Sequence, residues 1–355
     1  MTFLNLITAF REKFPPYIKT SKKLNIYDYT ALLLADFMEL LNNVEESEYV
    51  RINGNKQDLM NKIKIQSNII LSAIDLFCSG DIVGCYESIY KTYFYEGSDI
   101  YKILRYKPIP ARGPLFRLRV NKSNRPFEHT EMFHIPFGKT HLVSNQRFSL
   151  AGYPCLYLGN SSYCCWEELN RPDMERCNFA VLRNEKLLNL LDLSPPTEIR
   201  HSEDLLAYPL IISCALKITE DHSSFKSEYI IPQAVLQSII KLNNKAISDI
   251  NLDGIIYLST RIGEKLFFND DNEMYNYVIP TIYRKENRFC HNLTKLFTIS
   301  EAITYQELWL KYPQLVAAFD EDLDVGNDLY KLSVFFKIEQ FLKGRTIKKF
   351  TISEN

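Results

Sequence analysis

Glycine is scarce in this chain, which contains 12 glycines among 355 residues. That is roughly half the usual share for a globular protein. The sequence contains neither G-x-G-x-x-G nor G-x-x-x-x-G-K-[ST], the loops that hold phosphate groups in Rossmann and P-loop proteins. If this protein handles a nucleotide, its side chains must therefore bind the phosphates.

An excess of charge of one sign is also missing, because 42 basic residues balance 43 acidic ones. A protein that grips a nucleic-acid backbone usually has a clear basic excess, so we expect no nucleic-acid partner. No apolar run is long enough to cross a membrane, and the first residues lack a basic region followed by an apolar run. We therefore expect neither a membrane span nor a secretory signal.

The eight cysteines form no C-x-x-C pair, so we expect no zinc knuckle and no other metal site. Two of them, Cys164 and Cys165, are adjacent, and a disulfide between neighbours would be strained. Core packing therefore suits this pair better than redox chemistry. These features predict a cytoplasmic protein with reduced, mostly buried thiols.

The hydrophobic fraction of 46% and the charged fraction of 24% are typical of globular proteins and exclude disorder for most of the chain. The length favours two domains over one. Residues 1–106 predict a helical domain, with apolar residues at helical spacing over 29–42, 59–77 and 81–95. The proline-rich run 107–114 cannot continue a helix and marks a boundary.

Residues 112–290 have short apolar runs that alternate with turns, and this pattern predicts an α+β domain. Its predicted strands are 115–120, 155–158, 179–182, 187–191, 255–258 and 265–268, and its predicted helices are 162–170, 205–217 and 233–242. Residues 291–355 predict a C-terminal helical extension packed on this domain. In that extension, Thr304 and Glu307 have the spacing of a capping box. A second helix is predicted over 328–342, and the basic tail 343–349 predicts a short strand.

Candidate chemistry is densest between Arg147 and Leu169. The run R-F-S-L-A-G-Y-P-C-L-Y-L-G predicts a turn and a strand, and the run S-S-Y-C-C-W-E-E-L predicts a helix. Ser161 or Ser162 would cap this helix, which carries Glu167 and Glu168. Taken alone, the unit fits solvated glutamates with Arg147 paired to one of them better than it fits a functional carboxylate.

Three ordered blocks resemble the RES-domain family, which is named for an arginine, a glutamate and a serine. In the family's middle block a glutamate follows the tyrosine of L-Y-L by eleven residues, and here Glu168 follows Tyr157 by that number. The run F-R-L-R supplies Arg117, and D-G-I-I-Y-L-S supplies Ser259. The resemblance covers roughly residues 112–285 and leaves the helical part outside, as in the longer branch of the family. The small residues that usually precede the glutamate are replaced here by Cys-Cys-Trp.

The resemblance implies an ADP-ribosyltransferase-like mixed β core preceded by an all-α bundle. It also implies an enzyme that takes NAD⁺ as substrate and needs no resident cofactor. Members of the family are commonly toxins of toxin–antitoxin pairs that hydrolyse or phosphorolyse NAD⁺. The antitoxin is often a small helix-turn-helix protein. In this longer architecture the helical part could instead regulate the enzyme or mediate homo-oligomer formation.

Cleavage of the nicotinamide–ribose bond expels a neutral amide, so one carboxylate that stabilises an oxocarbenium-like ribose is sufficient. The resemblance gives that role to Glu168. Arg117, with Arg147 as second candidate, would bind the pyrophosphate through bidentate hydrogen bonds. Ser259 would hydrogen-bond the ribose or a phosphate, although a strand-end hydroxyl with no such role fits the same position.

The sequence allows two roles for each of three further residues. Tyr157 could border the nicotinamide or fill the core. His134 could contact the substrate or be a buried, internally bonded histidine. Arg119 shares a strand face with Arg117 and could bind a second phosphate or pair with a carboxylate.

The leading hypothesis is an NAD⁺ glycohydrolase or phosphorylase that acts as a toxin or antiphage defence effector. A second is a mono-ADP-ribosyltransferase that modifies a protein target. A third is a catalytically idle module that uses the helical part for binding. The residues do not choose between water, phosphate and a side chain as acceptor.

Overall fold

The computed structural model describes residues 1–16, 24–98, 104–121, 125–218, 223–244, 251–261, 273–284, 288–311, 330–331 and 333–349. Contacts divide the chain into two compact units. The helical unit contains Met1–Lys107, Ser144–Ala151 and Leu191–Leu252. The sheet unit contains Pro108–Val143, Gly152–Leu190 and Asp253–Asn355.

Twelve α-helices lie in the described residues: α1 Phe3–Arg11, α2 Ile26–Asn42, α3 Glu46–Arg51, α4 Lys56–Cys78, α5 Ile82–Tyr93, α6 Ser162–Glu168, α7 Ser202–Leu206, α8 Tyr208–Cys214, α9 Ile230–Asn243, α10 His291–Leu296, α11 Tyr305–Lys311 and α12 Val334–Lys343. None of the described helices is long and apolar enough to cross a membrane. The helices predicted from the patterns over 29–42, 59–77 and 81–95 are confirmed as α2, α4 and α5.

The ten described strands are β1 Tyr106–Ile109, β2 Pro114–Val120, β3 Cys155–Gly159, β4 Cys177–Asn184, β5 Leu188–Asp192, β6 Gly254–Leu258, β7 Tyr275–Pro280, β8 Phe297–Ser300, β9 Ile303–Thr304 and β10 Ile347–Lys349. They form one sheet in the order β1-β5-β6-β7-β3-β2-β4-β8-β10, with β9 on β4. Five predicted strands and the predicted C-terminal strand are confirmed. The strand predicted over 265–268 lies outside the described residues. The α+β class is therefore confirmed.

In the helical unit, α8 packs through Tyr208 against the N-terminal helices. The Tyr208 ring stacks on Phe37 with centroids 4.6 Å apart, and Phe10 meets it edge-on at 4.9 Å. On α9, the Lys241 ammonium lies 4.2 Å from the centroid of the Tyr90 ring. Residues 191–252, which the sequence analysis placed in the segment 112–290, thus group by contact with residues 1–107. The predicted division of the chain into domains at 1–106, 112–290 and 291–355 stays a prediction.

In the sheet unit, β4 lies between β2 and β8 and is buried along almost its whole length. The core lies on the strands around it and includes Leu115, Leu156, Leu158, Ala180, Leu182, Ile256, Tyr277, Ile279, Phe297 and Ile299. The predicted capping box is confirmed, because Thr304 N donates to Glu307 Oε2 at 3.0 Å and Glu307 N donates to Thr304 Oγ1 at 3.2 Å.

Three predicted helices differ in their limits. The helix predicted over 205–217 is two short helices, α7 and α8, with Pro209 in the first turn of α8. Proline lacks an N–H, so it starts a helix more readily than it continues one. The helix predicted over 162–170 ends at Glu168. The described part of the helix predicted over 328–342 begins at Val334, where Ser333 caps it.

Candidate functional site

The predicted turn, strand and helix that carry Glu168 are present in this order. Gly152 has a φ of +72°, which glycine adopts without strain, and β3 follows the turn. The Ser161 hydroxyl then accepts from Cys164 N at 2.9 Å and starts α6. Glu168 is the last residue of this helix, and its side chain is half-buried.

The carboxylate of Glu168 is held by two donors from other strands. Ser259 Oγ donates to Glu168 Oε1 at 2.6 Å, and Asn276 Nδ2 donates to the same oxygen at 2.8 Å. Ser259 is fully buried at the end of β6, and its backbone N donates to Met274 O at 2.8 Å. Both bonds end on Oε1, so Oε2 accepts none from the described residues. Glu168 and Ser259, 91 residues apart, are thus brought together.

The preceding glutamate has a different environment. Glu167 is buried, and its Oε1 lies 3.1 Å from Arg171 Nη2. Glu167 therefore forms an ion pair with Arg171, which lies beyond the end of α6, while Glu168 bonds to Ser259 and Asn276.

Asn276 was missed by the sequence analysis. The register pairs it with Tyr257 on one side and Gly159 on the other, so these three residues share one face of the sheet. The one available signal was a polar side chain in the otherwise apolar and aromatic run of β7. Tyr157, two residues before Gly159, lies on the same face and is half-buried. Burial raises the pKa of Tyr157 well above its usual value, so its hydroxyl stays protonated.

Gly159 allows α6 to lie close to the end of β3. A Cβ at this position would lie 2.8 Å from Cys165 Sγ and 2.9 Å from Ser161 O. No other residue type fits without a shift of backbone. The absence of a side chain at Gly159 therefore helps to set the position of the helix that carries Glu168.

Arg117 lies on β2 where this strand departs from β3. The two strands share one described register pair, Phe116 with Gly159, while β2 pairs with β4 along its full length. Arg117 Nη1 donates to Tyr157 O at 2.6 Å, and its Nε is buried without a hydrogen-bond partner among the described residues. Burial and the charge of Arg119 lower the pKa of Arg117 to about 9, so it is a cation at neutral pH.

Arg119 and His134 bond within the protein. Arg119 donates to the backbone carbonyl of Glu131, and its guanidinium lies 5.1 Å from the Phe127 ring centroid. His134 Nδ1 lies 2.8 Å from Ile135 O, and its Nε2 accepts from the backbone N of Cys290 at 2.9 Å. Burial lowers the pKa of His134 to about 4, so the ring is neutral.

Arg147 belongs to the helical unit. Its Nη1 donates to Cys214 O at 3.0 Å, and its guanidinium lies 5.2 Å from the Tyr229 ring centroid. The side chain is buried, and these contacts hold it within that unit.

Cys165 lies near both charged candidates of the sheet unit. Burial raises the pKa of its thiol to about 12, the charge of Arg117 opposes this rise, and Glu168 adds to it. The thiol is therefore neutral. Cys164 and Cys165 are both free. In the part of the chain that the structure describes, no group of three His, Cys, Asp or Glu side chains is placed to hold a metal ion.

The arrangement suits one chemical task. A carboxylate fixed through one oxygen by two donors can present its other oxygen to a hydroxyl or to a developing positive charge. Because the donors already hold it in place, little reorganisation is needed when that charge appears.

The chain is similar to a protein named "Putative toxin YopC" from Bacillus subtilis (strain 168), with 32% identity over 268 residues. The match covers 69% of this chain and 59% of that protein. This chain thus spans less than two thirds of its relative. No family model matches the chain, and no solved structure matches it. The resemblance to the RES and ADP-ribosyltransferase folds stays a prediction that the motifs carry.

Proposed function

We propose that this protein is a toxin whose sheet unit cleaves the nicotinamide–ribose bond of NAD⁺. The relative named as a toxin supports the first part. The hydrogen bond between Ser259 and Glu168 carries the second part, because it joins the two residues that the RES resemblance assigns to a site. They come from separate blocks of sequence, and their meeting is what such a site requires.

In this proposal Glu168 stabilises the ribose as its bond to nicotinamide breaks. The bonding electron pair leaves with nicotinamide, which departs neutral and needs no proton. The Oε2 atom of Glu168 accepts a ribose hydroxyl, and the charge of the carboxylate offsets the oxocarbenium charge. Water then forms the new C–O bond and releases a proton, which yields ADP-ribose. Ser259 and Asn276 hold the carboxylate throughout.

Arg117 is proposed to bind the pyrophosphate. Its guanidinium is protonated at neutral pH and its side chain is half-buried, so it can offer positive charge and N–H donors to a phosphate oxygen. Tyr157 is proposed to border the nicotinamide with a neutral hydroxyl. Arg147, which is bonded to Cys214 O in the helical unit, is not included in this proposal.

A toxin of this kind needs restraint in the cell that makes it. We propose that it acts on the NAD⁺ of the cytoplasm and that a partner antitoxin or its own helical unit restrains it.

The test is incubation of the purified protein with NAD⁺, followed by quantification of nicotinamide and ADP-ribose. We expect wild type to release both and Glu168→Gln, which is neutral and nearly isosteric, to be slower by about 100-fold or more. The matched control is Glu185→Gln, an exposed glutamate of the same unit, which should retain wild-type turnover.

Two outcomes contradict the proposal: a wild-type protein that releases no nicotinamide, and a Glu168→Gln variant that turns over like wild type. Product analysis also separates the acceptors. ADP-ribose attached to a protein indicates a transferase, and a product that needs inorganic phosphate indicates a phosphorylase.

A further inference from the structure

A second buried carboxylate lies at the start of the helix that carries Glu168. Glu339, on α12, is 4% exposed. Its Oε1 accepts from the backbone N of Ser162 at 2.7 Å and from Ser162 Oγ at 3.1 Å. Tyr330 Oη donates to the same oxygen at 2.6 Å. Ser162 is the first residue of α6, 177 residues from Glu339 in the sequence.

We propose that Glu339 is a positioning residue, which holds the first turn of α6 and thereby aims Glu168, at the opposite end of α6, toward Ser259 and Asn276. The inference rests on the proposed function, since it assigns Glu168 to the reaction. It gives the C-terminal helix α12 a task in that reaction.

The shortness of α6 makes such an anchor necessary. Seven residues span roughly 10 Å, and a helix of that length is not stable by itself. Its first N–H groups also need partners from outside the helix. Ser161 Oγ serves Cys164 N, and Glu339 serves Ser162 N. A negative charge at a helix N-terminus is also favoured by the helix dipole.

Aromatic packing alone does not supply this anchor. The Phe335 ring lies with its centroid 5.2 Å from those of both Tyr163 and Trp166, so α12 covers α6 with apolar surface. Such contacts are not directional and tolerate sliding. The hydrogen bonds from Ser162 to Glu339 are directional, as is a further one from Ser162 Oγ to Phe335 O at 3.2 Å, so together they fix the axial position and rotation of α6. Of these two acceptors, only Glu339 accepts the backbone N–H of Ser162.

The cost of burying Glu339 also indicates that this residue positions α6 and does not serve mainly to stabilise the fold. Burial raises the pKa of Glu339, while Tyr330 and Ser162 favour its ionised form as donors. A buried charge is weak evidence for net stability, because apolar residues of similar volume often serve as well. What an apolar residue could not do is accept the backbone N–H of Ser162.

The experiment must separate positioning from mere stability of α12. Ser333 offers the matched control, because its hydroxyl caps α12 by accepting from Phe336 N at 3.2 Å. The variant Ser333→Ala weakens the same helix and leaves the contact between Glu339 and Ser162 in place. Glu339→Ala removes that contact, and Glu339→Gln keeps an acceptor oxygen for Ser162 N–H while it removes the charge.

The first measurement is steady-state cleavage of NAD⁺ by the full chain, with Tm recorded for each variant. We expect Glu339→Ala to lower kcat by about tenfold or more with KM changed less than about threefold. Glu339→Gln should recover part of the loss, and Ser333→Ala should stay within about twofold of wild-type kcat. Equal losses of kcat for Glu339→Ala and Ser333→Ala at matched Tm would overturn the positioning role.

The second measurement does not depend on NAD⁺. Backbone hydrogen exchange over residues 162–168, followed by mass spectrometry, reports how firmly α6 is held. We expect faster exchange in Glu339→Ala and wild-type exchange in Ser333→Ala. Unchanged exchange in Glu339→Ala would overturn the anchor. If wild type cleaves no NAD⁺ but α6 still loosens without Glu339, the anchor is supported and only the proposed substrate fails.

Discussion

A single residue, His134, shows how burial sets the charge of a side chain. Its ring is 1% exposed, both its nitrogens bond within the protein, and burial lowers its pKa from 6.5 to about 4. Between these two values the unfolded chain binds a proton that the folded protein does not bind. By linkage, stability therefore rises with pH through this window and is lost as the pH falls from about 6.5 toward about 4.

We predict that His134→Gln reduces the acid sensitivity of the sheet unit. For wild type, this histidine should cost about 2 kcal/mol of stability between about pH 7.5 and about pH 5. His134→Gln should be less stable than wild type at both pH values. The free energy of unfolding that it loses between them should be smaller than the wild-type loss by about 2 kcal/mol. Urea denaturation followed by tryptophan fluorescence measures this, since Trp166 and Trp309 both lie in the sheet unit.

The exposed His141 provides the control, and His141→Gln should keep the wild-type dependence on pH. If His134→Gln lost as much stability as wild type between the two pH values, the neutral state assigned to His134 would be wrong.

At the scale of elements, the junction of β3 and α6 depends on Gly159. We predict that Gly159→Ala costs about 1–3 kcal/mol, because backbone must move away from the added methyl group. The shift would displace Glu168, so NAD⁺ cleavage should also fall by about tenfold or more. Thermal unfolding and the NAD⁺ assay measure the two effects.

Gly138→Ala is the matched control, since no atom lies within 4 Å of a Cβ at Gly138. It should leave both stability and turnover near wild type. Wild-type turnover in Gly159→Ala would show that the close approach does not position the helix.

The elements were predictable where local signals were strong. Helices α2, α4 and α5 begin at the capping side chains Asn25, Asn55 and Asp81, and each has an apolar stripe. The strand β4 is buried along almost its whole length and has the apolar run 179–182, which contains the strand formers Phe179 and Val181. The division of the predicted helix over 205–217 is a local effect of Pro209, which starts a new helix instead of continuing the one before it.

The site was predictable only through the resemblance. Local chemistry alone allowed Glu168 to be a solvated residue. The resemblance of two separate sequence blocks to the RES family is what paired Glu168 with Ser259. Asn276 and Glu339 could not be found in this way, because strand register and the docking of α12 bring them to α6. They lie 108 residues from Glu168 and 177 residues from Ser162 respectively. No local pattern encodes contacts of such separation.

At the scale of the whole molecule, the helical unit is assembled from three separate stretches of chain. The proline-rich run predicts a domain boundary near residue 107, and this stays a prediction, while the first stretch of the helical unit ends at Lys107. The grouping of residues 191–252 with the N-terminal helices had no local signal, because it depends on contacts such as those of Tyr208 with Phe10 and Phe37.

We predict that a fragment of residues 108–355 does not fold as a monomer. Removal of residues 1–107 exposes the apolar faces of α8 and α9, including Tyr208, to water. Size-exclusion chromatography with light scattering should show aggregates, and thermal unfolding should lose its cooperative transition.

Point variants in the full chain provide the control. Phe37→Ala should cost about 3–5 kcal/mol, while Leu32→Ala, at an exposed position of the same helix, should be nearly neutral. A monomeric 108–355 fragment with a cooperative melt would contradict the prediction.

Because the helical unit is assembled from three stretches of chain, the ribosome synthesises its parts at different times. Helices α1 to α5 leave the ribosome before α8 and α9, because the residues of α9 are translated about 150 positions after those of α5, or roughly 8–30 s later at ordinary elongation rates. Until then the nascent chain displays the apolar faces that α8 and α9 will cover. Translation of this protein therefore includes an interval in which chaperones can engage the N-terminal helices before the chain can bury them.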